Sequence, residues 1–166
     1  ERLGLVERLK KSHFQRKHSV QFFSASGRSS APFYFSETDP HERSTTWQVR
    51  RSELDGLLLD NAVEHGVELR QGVQVQDVVF DGDQAVGVRA QGRDGPPTDL
   101  RARVVVDATG RSALIAHKLG LKVVEPHLRK ISIFSHFRGA KRDKDIDEGA
   151  TLIMHTRNRN SWFWYI

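Results

Sequence analysis

Three valines, Val104, Val105 and Val106, run directly into Asp107, Ala108, Thr109 and Gly110, with Arg111 and Ser112 following. Consecutive β-branched residues predict a strand buried on both faces, and Asp-Ala-Thr-Gly is an abrupt turn out of it. That pattern points to an α/β fold with a loop at the strand's carboxyl end, the edge at which open α/β sheets bind ligands. A glycine there lets the backbone come close to a nucleotide, Asp107 can accept from a hydroxyl, and the turn amides can face an anion. The same residues also fit an ordinary strand-turn-helix junction, with Ser112 capping a helix over residues 113–119 that Gly120 ends.

The chain's 166 residues suffice for one substantial core, and 37% hydrophobic with 28% charged residues is the balance of a globular protein. No run approaches the roughly 18 apolar residues of a membrane span. Residues 1–11 lack the basic-then-apolar layout of a secretory signal. No integral membrane segment is therefore expected, and the expected location is cytoplasmic. The absence of cysteine excludes disulfides and thiolate metal sites, and the eight histidines show no paired ligand spacing, so no metal site is expected. The formal charge of +5 raises the question of nucleic acid. However, the basic residues are scattered, from Lys10 and Lys11 through Arg50, Arg51, Arg101 and Arg103 to Arg157 and Arg159, without a basic helical stripe or an RNA-binding aromatic motif. An anionic cofactor or a missing acidic segment explains the excess, and no nucleic-acid partner is expected. The chain opens on Glu1 and stops at Ile166 within an apolar run, and so reads as an excised fragment.

Along the chain, Leu5, Val6 and Leu9 share one face of a short helix over residues 3–11. Residues 20–24 and 33–35 are aromatic strands expected to pair, and residues 47–49 are extended. A helix follows, opened by a capping-box-like Ser52 to Asp55, carrying Leu54, Leu57, Leu58 and Ala62, and closed by Gly66. Alternation at Val73, Val75, Val78 and Phe80, then Asp81-Gly82-Asp83, then residues 85–90, is a hairpin. The Gly95-Pro96-Pro97 turn leads back through Leu100, completing a β-meander. Residues 131–137, 151–155 and 162–166 are strand-like, with a charged loop over 141–148, and look like the edge of another sheet.

Helix, strand, β-meander, strand and Asp-Ala-Thr-Gly turn is the order found in flavoproteins of the p-hydroxybenzoate hydroxylase type, which this chain resembles. The segment Gln48-Val49-Arg50-Arg51-Ser52-Glu53-Leu54-Asp55 is similar to their second-helix motif. In that family the arginine in the place of Arg51 reaches the flavin from the helix start, where a planar, always-charged fork suits a diphosphate or ribose. The resemblance implies an FAD-binding Rossmann-like fold of the glutathione-reductase/p-hydroxybenzoate hydroxylase type. It would be incomplete, with its β-meander and the start of a substrate-side β-sheet. Residues 1–125 would be the remainder of the FAD-binding part with inserted strands, and residues 126–166 the start of the substrate-side sheet. FAD contacts are implied at Gln48, Arg51, Val75, Asp107 and Gly110.

Two further segments narrow the branch. Ser161-Trp162-Phe163-Trp164-Tyr165-Ile166 resembles the Trp-x-Trp-x-Ile motif of flavin-dependent halogenases. Tryptophans two apart on a strand project to one face, so Trp162 and Trp164 can wall a single substrate and halide tunnel. Phe14-Gln15-Arg16-Lys17-His18-Ser19-Val20-Gln21-Phe22 looks like the halogenase segment in which a lysine precedes a strand, with an aromatic residue five positions later. The resemblance implies that reduced FAD, oxygen and halide generate hypohalous acid, and that Lys17, as the catalytic residue, holds the oxidant by hydrogen bonding or as a haloamine. A haloamine requires a neutral amine, so burial or a nearby cation should lower the lysine pKa. The implied partners are a small aromatic substrate, free or carrier-tethered, and a separate flavin reductase.

No Gly-x-Gly-x-x-Gly loop, the usual pyrophosphate cradle, occurs in the sequence. Weak FAD binding by the isolated chain is therefore expected. Flavin monooxygenases and geranylgeranyl-reductase-like enzymes that use NAD(P)H share the Arg51 and Asp107 elements without needing Lys17 or the tryptophan pair. A non-enzymatic interaction module is a third alternative.

Overall fold

Apolar strands from the two ends of the sequence meet in one sheet. In the computed structural model, β1 (Gln15–Lys17), β2 (Ser19–Phe23), β3 (Phe33–Tyr34) and β4 (Thr46–Gln48) come from the first part of the chain. The described residues are 2–128, 130–158 and 160–166; Glu1, Arg129 and Arg159, the last among the scattered basic residues, lie outside them. The chain divides into two compact units, Glu1–Val67 with His136–Ile166, and Glu68–Ser135.

In the first unit β1 and β4 form an antiparallel two-stranded ladder. The expected pairing of the two aromatic strands is present, with Ser19 opposite Tyr34 and Val20 opposite Phe33. Phe35 leaves β3, however, to begin a single turn, α2 (Phe35–Thr38). The late strands β8 (Thr151–His155) and β9 (Trp162–Tyr165) lie, as expected, at the edge of a sheet other than the meander, and they share it with the aromatic strands. β8 runs parallel to β2, with Val20 beside Thr151 and Phe22 beside Ile153, giving the order β3-β2-β8-β9. A parallel pair needs a long crossover, and here everything between Phe23 and Thr151 supplies it.

α1 (Val6–Lys11) is anchored by Leu5, the buried aliphatic residue at its start. Arg8 ion-pairs with Glu64 at the far end of α3 (Arg51–Glu64). The expected capping box at Ser52 is absent. The helix already begins at Arg51, and the Arg50 carbonyl accepts from the amides of Glu53 and Leu54, so Ser52 lies inside the first turn and caps nothing. Gly66 closes α3 as expected, at φ +86°, with the Val67 amide returning to the Ala62 carbonyl.

The second unit is built on the meander β5 (Gln74–Asp81), β6 (Gln84–Gln91) and β7 (Thr98–Arg101). Asp81 pairs with Gln84 across a two-residue turn whose Gly82 takes φ +55°. Val78 and Ala90 are its buried apolar residues. A short helix, α4 (Leu114–Lys118), touches β5 through Lys118, whose Nζ donates to both Asp77 carboxylate oxygens at 2.6 and 2.7 Å and to the Val78 carbonyl at 2.8 Å.

Two expected strands are not formed. Val104 and Val106 are 73% and 82% exposed, and residues 104–106 have no ladder partner among the described residues. Residues 131–137 are likewise outside any strand, with Ile131, Ile133, Phe134 and Phe137 exposed. A strand exists only against a neighbour that takes its amides and carbonyls, and among the described residues neither run joins a ladder.

Candidate functional site

The Asp107 turn is organised by its own carboxylate. Oδ1 accepts the Thr109 hydroxyl at 2.6 Å and the Thr109 amide at 3.0 Å, while Oδ2 accepts the Ile115 amide at 2.8 Å. The Thr109 hydroxyl oxygen in turn accepts from the Leu114 amide. Asp107 and Thr109 therefore satisfy the first amides of α4, the task expected of Ser112, which instead lies in a 3-10 turn over Gly110–Ser112. The Thr109 hydroxyl, helped by the two amides, holds the Asp107 carboxyl below the usual carboxylate range. Gly110 takes φ +62°, and Ala113 takes φ +44°, an uncommon conformation for a residue with a Cβ. Beneath the turn is an open hollow of about 540 Å³ whose wall includes Ala108, Gly110, Ala113, Ala116 and Leu121. Small side chains and a glycine at positive φ keep this hollow open.

Lys17 lies at the end of β1, opposite Thr46. Its side chain is half-buried, with Nζ 5.6 Å from the centroid of the Phe35 ring. Burial lowers its pKa below the ordinary lysine value, the direction a nucleophilic amine needs. Arg16 is exposed and Phe22, five positions on, is partly so.

Gln48 shares the ladder with Lys17, but its amide faces the loop before β8: Nε2 donates to the Gly149 carbonyl at 2.8 Å, and Oε1 accepts from Arg142 at 2.7 Å. The Arg142 guanidinium also lies 5.5 Å from the Tyr165 ring on β9. Arg51, at the first turn of α3, is 80% exposed and holds only Asp55 through Nε and one terminal nitrogen, leaving donors directed to solvent. Val75, on β5 opposite Ala90, is partly exposed beside a bulge. Trp162 and Trp164 share one face of the edge strand β9 and are 46% and 64% exposed.

Sequence reasoning found the charged loop before β8 but missed what it holds. Asp147 accepts the Ser19 hydroxyl at 2.7 Å and the Tyr34 hydroxyl at 2.8 Å, and a Cβ on Gly149 would fall 1.8 Å from the Arg16 carbonyl oxygen. The bond to Asp147 raises the Tyr34 pKa. The visible signal was Gly149-Ala150 ahead of an apolar strand, hidden behind a run of surface-like charges. Among the described residues no group of three or more His, Asp or Glu could hold a metal, and no helix is long and apolar enough to cross a membrane.

A mixed α/β framework with a meander and an aspartate-organised turn over an open hollow is the incomplete Rossmann-like scaffold of an FAD-binding protein. Residues 1–161 match the family described as FAD binding domain, and the chain belongs to that family. It is 31% identical to the 1H-pyrrole-2-carbonyl-(peptidyl-carrier protein) brominase of Pseudoalteromonas luteoviolacea (strain 2ta16), over 99% of this chain and 38% of the brominase. It is 28% identical to the corresponding chlorinase of Pseudomonas fluorescens, over 99% of this chain and 41% of the chlorinase. The fold is similar to that of the myxobacterial chondrochloren halogenase CndH, with a TM-score of 0.77 and 29% identity over 99% of this chain and 37% of that one. The chain thus spans about two fifths of the length of these relatives.

Proposed function

We propose that this chain contributes FAD contacts and the halogen-handling lysine of a flavin-dependent halogenase acting on an electron-rich aromatic ring. The observation that carries the reading is the half-buried Lys17 amine over the Phe35 ring, with its pKa lowered by burial. Bound reduced FAD would supply the oxidising chemistry that turns oxygen and halide into hypohalous acid. The neutral Lys17 amine takes the halogen from hypohalous acid, forming a nitrogen–halogen bond and releasing water. The aromatic ring then takes the electrophilic halogen and gives up a proton, which restores the amine. Trp162 and Trp164, side by side on β9, are suited to wall the path of the oxidant with apolar surface.

For the cofactor, Arg51 offers unpaired guanidinium donors suited to a diphosphate, and the 107–110 turn offers glycine-lined backbone over its hollow. Val75 adds apolar contact, Asp107 holds the backbone of the 107–110 turn, and Gln48 is a further contact whose amide is set by Gly149 and Arg142. The pyrrolyl-carrier relatives favour a carrier-tethered aromatic substrate. A cytoplasmic location with a separate reductase supplying the flavin completes the reading.

The test uses a protein carrying this chain at the relatives' full length, with reduced flavin supplied separately. Halide-dependent product is expected, and Lys17→Ala should abolish it while FAD binding persists. Unchanged halogenation by the variant would remove Lys17 from the mechanism. Direct NADPH consumption without halide incorporation would replace the reading with a monooxygenase or reductase.

A further inference from the structure

We propose that Asp147 is a positioning residue for the Lys17 amine, acting through the paired hydroxyls of Ser19 and Tyr34 and through the Phe35 ring. Ser19 and Tyr34 are register partners across β2 and β3, and their hydroxyls converge on the two oxygens of one carboxylate. Ser19 is fully buried, so its hydroxyl has no water to exchange with, and Asp147 is the acceptor it depends on.

This pinned pair stands where the two segments that meet at the amine diverge. Lys17 is two residues before Ser19, and Phe35 follows Tyr34. The Phe35 amide donates to the His18 carbonyl at 3.0 Å, continuing the pairing past the strand and setting the start of α2. The ring then lies 5.6 Å from the amine. A second contact from the same loop fixes the backbone on the other side of Lys17, because Gly149 packs directly on the Arg16 carbonyl. The loop grips the chain on either side of Lys17, at Arg16 on β1 one residue before it and at Ser19 on β2 two residues after it. Both Asp147 oxygens are taken by the two hydroxyls, so it acts on Lys17 through them.

The importance of this placement rests on the halogenase reading of Lys17, but its test does not. In the 166-residue chain labelled at the lysine ε-carbons, the Lys17 signal is expected to be displaced from the other lysines by the Phe35 ring. Phe35→Leu should remove that displacement and calibrate it. Asp147→Ala should remove at least half of it while the amide signals of α3 stay in place, and Asp147→Asn, which keeps one acceptor oxygen, should retain more. A wild-type Lys17 signal in Asp147→Ala would overturn the proposal. If that variant fails to fold, Ser19→Ala and Tyr34→Phe decide: movement of the Lys17 signal in either supports the hold, and no movement in both overturns it. At the relatives' full length, Asp147→Asn should lower kcat about tenfold with KM unchanged, as expected for a misplaced reacting group. Should Lys17→Ala leave halogenation intact, the catalytic reading falls while the signal displacement still judges the hold.

Discussion

At the residue scale, the chemistry assigned to Lys17 turns on how much of its amine is neutral. An ordinary lysine titrates near pH ~10.4, so little of it is neutral in the working range. Burial beneath neighbouring chain lowers that value. If the neutral amine limits the rate, halogenation should rise with pH along a limb displaced below that of a free lysine, and Phe35→Leu, which opens the site to water, should move the limb upward. Rate measurements on a buffered pH series check this, and a limb unmoved by the variant would argue against burial as the cause. Asp107 shifts downward as well, but because its charged form is favoured rather than disfavoured. Its folded pKa lies below the unfolded value because the Thr109 hydroxyl and two amides favour the carboxylate. Its contribution is therefore fully present above about pH 4, the unfolded range, and is lost as pH falls through the folded value. The amides of Thr109 and Ile115 should lose exchange protection in that acid window, before the Asp81–Gln84 hairpin opens.

The short elements show which local rules decided the structure. α4 owes its start to Asp107 and Thr109, so Ser112→Ala should change stability by less than about 0.5 kcal/mol. Ala113→Gly should be neutral or stabilising by about 1 kcal/mol, because φ +44° penalises a Cβ. Urea midpoints with amide exchange at Ile115 distinguish these outcomes, and a large loss in Ser112→Ala would restore it as the cap. Gly149→Ala should destabilise the first unit by about 1–3 kcal/mol, since the new methyl meets the Arg16 carbonyl rather than a yielding side chain. The hairpin, α3 with its Gly66 stop, and the pairing of the aromatic strands were legible in the sequence because each is set by local periodicity and turn chemistry. The β2–β8 pairing was not, because a parallel contact between residues 20 and 151 leaves no local mark. Ser52 and Ser112 misled for a related reason: a serine ahead of an apolar run is a cap only if the helix begins after it, and here the preceding backbone chose otherwise.

For the molecule as a whole, the exposed valines at 104–106 set the limits of what this chain does alone. A β-branched run is suited to the interior of a sheet, yet no strand among the described residues pairs with this one. Among the described residues the turn is held by the Asp107 network, by amides returning to the Thr109 and Gly110 carbonyls, and by Lys122 on the Arg111 carbonyl. The sequence also lacks the glycine loop that in such folds takes the pyrophosphate, and Arg51, proposed above as a phosphate donor, is exposed and already holds Asp55. Charge-assisted bonds from one exposed arginine are screened and carry little affinity, and an open hollow buries only part of a ligand. Titrating FAD into the 166-residue chain should therefore give a dissociation constant weaker than about a micromolar, read by flavin fluorescence or calorimetry, with Arg51→Ala weakening it further. The same titration at the relatives' length should be tighter by at least about tenfold, and should at the same time slow amide exchange across Val104, Val105 and Val106. Micromolar or tighter binding by the short chain would mean that the Asp107 turn and its hollow suffice for the cofactor without a glycine loop.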